Sequence, residues 1–431
     1  MSVRKFVSMA MALALITPMF SSCTGQQEPA NRTVTETLVF EEYLINDLYS
    51  KFRVISPDGR HVAYFGENNA LFVDGIVQSR PNGSPAPPPH SLVWSPDSKH
   101  LAYTIRRDGK YIVVLDGIEG KPYARYDTYL LPSPASFCGF YYLPVFSPDS
   151  QHLAYAAQPE DGYCVVLDGV EGKHHEGAVY PKTITFSPDS QHLAYTTNIW
   201  IVLDGKEIAP GSGESQLVFS PNSQRLGYRG YELTKPPHNN IQYPTFSPDS
   251  QHFASWVDTF IVLDGVYYNI SDVLGVSSMY GQGFFFTPDS QHLAVFTRDS
   301  YLVDGKEVLH FDPPAEIYDG SPVLSPDGKR VAYVTYRKDE STGKEMRSIV
   351  VDGQQGKEYD IGVWPPVFSL DSQHVAYVVS EYGGKRSFVV VDGIEGRVYD
   401  LVTKPVFESP NKLRYNAKKG DSLYLVEETI K

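Results

Sequence analysis

The chain has 431 residues, of which 42% are hydrophobic and 20% charged, so it is a globular chain and not a disordered one. A net charge of −14 excludes a non-specific nucleic-acid binder, which needs a basic face, and three cysteines are too few for a disulfide-built or zinc-clustered fold. With 34 Gly, 32 Pro, 30 Tyr and 22 Phe, and no long helical pattern after the first 22 residues, the composition points to an all-β protein of many short strands.

The N-terminus reads as an export signal. Arg4 and Lys5 form a charged start, Phe6 to Phe20 is an apolar run, and Ser21 and Ser22 are small. The run is too short for a transmembrane span, which needs ~20 apolar residues. The ending Phe20-Ser21-Ser22-Cys23 resembles a bacterial lipobox, although Phe20 stands where Leu is usual. That resemblance implies a lipid on Cys23 as the first mature residue, and Thr24 after it favours the outer membrane. Cleavage after residue 22 removes two positive charges and takes the net charge to −16. Residues 23–36 are polar and read as a tether.

Residues 37–431 are dominated by self-similarity. The segment Phe186-Ser-Pro-Asp-Ser-Gln-His-Leu-Ala-Tyr195 recurs ten times, with its Ser or Thr at Ser56, Ser95, Ser147, Ser187, Ser220, Ser247, Thr287, Ser325, Ser369 and Ser409. The spacing runs from 27 to 52 residues. Eight units continue into an apolar run that ends in Asp-Gly, at Asp74, Asp116, Asp168, Asp204, Asp264, Asp304, Asp352 and Asp392.

Each unit reads as four strands. An apolar stretch leads into Ser-Pro-Asp-Ser/Gly, where Pro fixes φ for a type I turn. His-Leu-Ala-Tyr is the second strand. The third is a continuous apolar run such as Tyr111–Leu115, and a run without alternation has both faces buried. Asp-Gly makes the hairpin into the fourth strand. Four strands per ~40 residues, repeated around an axis, is a β-propeller blade. The combination Phe-Ser-Pro-Asp-Ser-x-x-Leu-Ala-Tyr with Val-Val-x-Asp-Gly resembles the WD40-like repeat of TolB-type β-propellers over roughly residues 50–426. The ten units, with no linker between them, point to a single closed ring of about eight to ten blades, and the resemblance implies an envelope-assembly or scaffolding role. Two smaller rings in tandem are the alternative.

Two units are irregular. The one at Ser220 has Asn222 for Asp and lacks the Asp-Gly pair, and the last ends after its third strand at Leu423–Val426. Residues 37–48 stand where a fourth strand would, so the N-terminus is expected to close the ring and remove its open edges.

Most repeated polar residues have structural explanations. The turn Asp caps its own amides, and a calcium site would need several oxygens in one loop. Seven His share one repeat position (His61, His100, His152, His192, His252, His292 and His374), where Arg225, Arg330 and Lys412 stand in other units. That interchange argues for a solvated strand start and against metal ligation. No metal or other cofactor is expected. Cys138 and Cys164 fall in one unit, either as a disulfide or as two buried thiols.

No Gly-x-Ser-x-Gly, His-Glu-x-x-His, Walker or Rossmann pattern occurs. The variable segments join the fourth strand of one unit to the first of the next. They gather at one face and the channel mouth and are rich in aromatics. Tyr141, Tyr142, Tyr180, Tyr243, Tyr280, Phe284 and Trp364 are the binding-face candidates. The expected function is a monomeric, non-enzymatic envelope lipoprotein that binds a protein, peptide or cell-wall glycan. The alternative is a polysaccharide lyase or glycosidase with its site at the channel mouth.

Overall fold

The computed structural model describes residues 31–41, 53–66, 70–79, 84–85, 92–123, 144–211, 216–228, 231–232, 241–257, 260–274, 284–297, 299–312, 315, 321–381 and 386–431. These form ten antiparallel sheets, and strand order follows the chain in all but the last, whose outer strand comes from the N-terminus. Nine sheets have four or five strands. The fifth, from the Ser220 unit, has three (Leu217–Phe219, Leu226–Tyr228, Tyr231–Glu232), as its missing Asp-Gly element requires. The fourth unit shows the regular pattern, with strands Thr185–Phe186, Leu193–Thr196, Trp200–Leu203 and Lys206–Pro210.

The turn chemistry explains why the units are so alike. Ser187 Oγ donates to Asp189 Oδ1 at 2.6 Å, which also accepts from Gln191 N. His192 N donates back to Ser187 Oγ. Ser190 holds φ +64°, a left-handed value that closes the turn. At the hairpin, Asp204 and Gly205 both have positive φ (+49° and +75°), the signature of a type I′ turn. Asp204 Oδ1 accepts from Leu193 N at 3.0 Å, so one carboxylate ties the hairpin to the start of the second strand.

The sheets form one ring. Asp58 N donates to Ser98 Oγ of the next unit, and Asp97 N to Ser150 Oγ. The same hand-off runs from Asp149 to Ser190, Asp189 to Ser223, Asn222 to Ser250, Asp249 to Ser290 and Asp327 to Ser372. Between the seventh and eighth sheets Gly328 takes the place of Ser, and an added Cβ would meet Pro288 at 2.9 Å. The ninth and tenth sheets share one core containing Val378, Val389, Val402 and Ala417. The tenth meets the first through Asn416 Nδ2 to Gly59 O (2.7 Å) and Arg414 Nη2 to Pro57 O (2.9 Å). The chain is a single closed β-propeller, and the tandem-ring alternative falls. Its core lies between neighbouring sheets, as in the cluster of Ala154, Val165, Ile184, Leu193, Tyr195 and Val202. This is why the third strands do not alternate.

Closure comes from the N-terminus, with one correction. The outer strand of the tenth sheet is Arg32–Glu41, paired antiparallel with Ser422–Ile430. It starts inside the stretch read as tether, and the C-terminal strand runs past Val426. Arg32, Val34 and Glu36 point inward while Thr33, Thr35 and Thr37 point out. Two of the three inward residues are charged, so the pattern looks polar. Arg32 is fully buried against Glu428, and its Nη1 and Nη2 donate to Ile394 O and Val389 O of the ninth sheet. Tyr415 Oη donates to Glu428 Oε1 at 2.6 Å. Burial pushes the Glu428 carboxyl up, and Arg32 and Tyr415 partly offset this. Glu36 accepts from Tyr399 Oη and pairs with Arg397 at 3.0 Å.

Candidate functional site

Each unit runs down its inner strand, through the Ser-Pro-Asp turn, and up again. The variable connections therefore collect at the face opposite the turns. At that face the inner strands of the ninth and tenth sheets are each broken. Gly362–Val363 and Val367–Phe368 both pair with Val375–Ser380, and Trp364-Pro365-Pro366 lies between them. Leu401–Val402 and Val406–Ser409 both pair with Lys412–Lys419, and Thr403-Lys404-Pro405 lies between. Proline has no N–H for the ladder, so the backbone leaves the sheet there. Trp364 N and Thr403 N keep one bond each, to Val378 O and Asn416 O at 2.9 Å.

The two interruptions face each other across a cleft of about 420 Å³ lined by Trp364, Pro365, Val378, Ser380, Leu401, Val402 and Lys404. Val378, Ser380 and Val402 form its buried wall. Trp364 is 57% exposed and Leu401 45%, so the rim of the cleft is apolar. Lys404 is exposed and has no acidic partner among the described residues. Some other surface cations are paired, such as Arg107 with Glu119, Lys121 with Glu171, Lys344 with Asp360 and Lys357 with Glu395.

The other candidates divide. Tyr141, Tyr142, Tyr280, Cys138 and Cys23 lie outside the described residues. Tyr180 is half-buried at the connection into the fourth sheet, with its carbonyl accepting from Thr183 Oγ1. Tyr243 lies in the inner strand Ile241–Phe246 of the sixth sheet. Phe284 is a correction. It opens the inner strand of the seventh sheet and is 4% exposed, packed with Ile261, Ile270 and Leu293, so it is core and not binding surface. Cys164 is buried, and burial pushes its thiol up to about 12.

Lys404 was not among the sequence candidates. The signal existed: Trp364 and Lys404 each stand five residues before their turn serine, Ser369 and Ser409. Equal repeat positions in consecutive units become neighbours across a blade junction.

The repeated histidines also do more than start a strand. His61 Nδ1 bonds Asp74 Oδ2 at 2.8 Å, and the same pair forms at His100–Asp116, His152–Asp168, His192–Asp204, His252–Asp264, His292–Asp304 and His374–Asp392. Arg330 Nε replaces the imidazole on Asp352. The unit without Asp-Gly has Arg225 instead, and its Nη1 donates to Ser250 O and Gln251 O of the next turn. The position is a brace between second strand and hairpin. Among the described residues, no group of three or more His, Cys, Asp or Glu is placed to hold a metal ion.

No protein-family model matches the chain. No curated protein matches it either. Solved structures do. A crystal structure of the eukaryotic initiation factor aligns over 88% of this chain and 97% of its own, at 12% identity and a TM-score of 0.42. The WD40 domain of SCAP from fission yeast aligns over 93% and 94%, at 8% identity and 0.34. An oligogalacturonate lyase in complex with manganese aligns over 66% and 88%, at 11% identity and 0.30. The propeller assignment rests on the ring itself.

Proposed function

We propose that this chain is a non-enzymatic binding scaffold of the bacterial envelope, held by a lipid on Cys23, that takes its partner at the face opposite the Ser-Pro-Asp turns. The observation that carries the reading is Trp364. A large, exposed indole at the break in an inner strand, beside an apolar cleft, is the kind of anchor on which interfaces concentrate their energy. The closed ring supplies the rigidity, because seven of its turns are bonded to the turn that follows. The export signal and lipobox resemblance supply the location.

Chemical cross-linking in native envelopes tests the reading. Trp364→Ala should remove the main adduct formed by the intact protein while its melting temperature moves by no more than about 1 °C. An unchanged adduct overturns the binding face. Cys23→Ala should move the protein from the membrane to the soluble fraction, and continued membrane retention overturns the anchor.

A further inference from the structure

The cleft at the ninth and tenth sheets has a chemical bias that narrows what can occupy it. Five of its seven lining residues are apolar: Trp364, Pro365, Val378, Leu401 and Val402. Its polar side-chain groups are the Ser380 hydroxyl, the Trp364 indole N–H and one ammonium, Lys404. The cation has no acidic partner among the described residues, in a chain that carries −14 overall. Lys418 stands opposite Leu401 in register and adds positive charge to the same end of the sheet.

A sugar would bring several hydroxyls, and each would lose its water without gaining a partner on the apolar wall. Strand addition is also disfavoured, because Pro365 and Pro366 remove the N–H groups from the ninth sheet's broken inner strand. What remains is a ligand held by side chains, with an apolar body for the trough and one negative group for Lys404. A volume of about 420 Å³ suits one or two aliphatic residues.

We propose that the Trp364–Lys404 cleft binds a peptide segment whose bulky aliphatic residue adjoins a carboxylate. This rests on the binding-face reading above and deepens it. The carboxylate is either a chain terminus or an acidic side chain, and the two share the same chemistry at Lys404.

The test uses three probes on the intact protein: N-acetyl-Leu-Leu as the free acid, the same dipeptide as its amide, and N-acetyl-Glu-Leu amide. Binding is read by NMR titration and indole fluorescence. The free acid should bind about fivefold to tenfold more tightly than the Leu-Leu amide, a preference that raised salt reduces. If the N-acetyl-Glu-Leu amide recovers that preference, an acidic side chain serves; if only the free acid shows it, a terminus does. Lys404→Gln should abolish the preference, bringing the free acid down to the level of the Leu-Leu amide measured on the same variant. Trp364→Ala should weaken all three probes about tenfold or more. Equal binding of acid and amide overturns the carboxylate inference while the binding face stands. Binding of a neutral hexose oligomer in preference to all three overturns it in favour of a glycan. Failure of every probe to bind overturns it too, and cross-linking at Trp364 then decides the binding face separately.

Discussion

Two kinds of blade junction hold the ring. Most internal junctions use one repeated hydrogen bond, from the turn Asp or Asn N–H to a serine hydroxyl of the next unit, and each is exposed to water on one side. The closing region between the ninth, tenth and first sheets uses residues that occur once: Arg32, Glu36, Glu428, Asn416 and Arg414. A repeated junction can fail singly without losing the pattern. The closing region has no copy, and its buried charges exist only because two chain ends must be held together.

Substitutions separate the two. Arg32→Met should cost about 3–5 kcal/mol in denaturant unfolding, since it strands the buried Glu428 carboxylate. The sign with pH follows from Glu428. Its pKa is raised in the folded protein, so the penalty is present at neutral pH and fades as the carboxyl takes up a proton. The gap from wild type should therefore narrow between pH 7 and pH 5. A gap that is small, or that widens on acidification, breaks the claim that closure rests on this pair. Arg32→Met with Glu428→Leu should recover most of the loss.

An internal junction should be cheaper. Ser190→Gly keeps the left-handed backbone allowed, as Gly59 and Gly328 do at the equivalent place, and removes the hydroxymethyl side chain with its hydrogen bond. It should cost about 1 kcal/mol in the same assay. A loss as large as that of Arg32→Met would erase the distinction.

The turns also set an acid limit. Hydrogen bonds from the turn Ser or Thr hold Asp97, Asp149, Asp189, Asp249, Asp289, Asp327 and Asp371 below the usual carboxylate range, Asp97 at about 2. A depressed carboxylate stabilises above its unfolded pKa of ~4 and loses that contribution as pH falls through the folded value. Wild-type stability should therefore drop most steeply below about pH 4, and Asp189→Asn should soften that slope slightly. The smallest expected effect is Trp364→Ala, within about 0.5 kcal/mol of wild type because the indole is largely exposed.

The repeats were legible because turn chemistry is local: Ser-Pro-Asp and Asp-Gly each dictate backbone angles within four residues. Ring closure was legible as a missing strand. The start of that strand at Arg32 was not, since an edge strand whose inward residues are Arg and Glu carries no apolar alternation. Phe284 misled for the opposite reason: an aromatic beside a variable segment looks like a surface residue until its strand register is known. The His–Asp braces and the Trp364–Lys404 pairing join residues in fixed repeat positions, and only the way neighbouring strands and blades meet makes them contacts.

The closing strand also gives the molecule a direction. Arg32 enters beside Ile430, whose N–H bonds to Asn411 in the last turn, so the chain arrives at the turn face. Cys23 is nine residues upstream, a leash of roughly 30 Å at full stretch. A lipid on Cys23, as proposed above, would hold the wheel from its turn side, the side opposite the indole cleft.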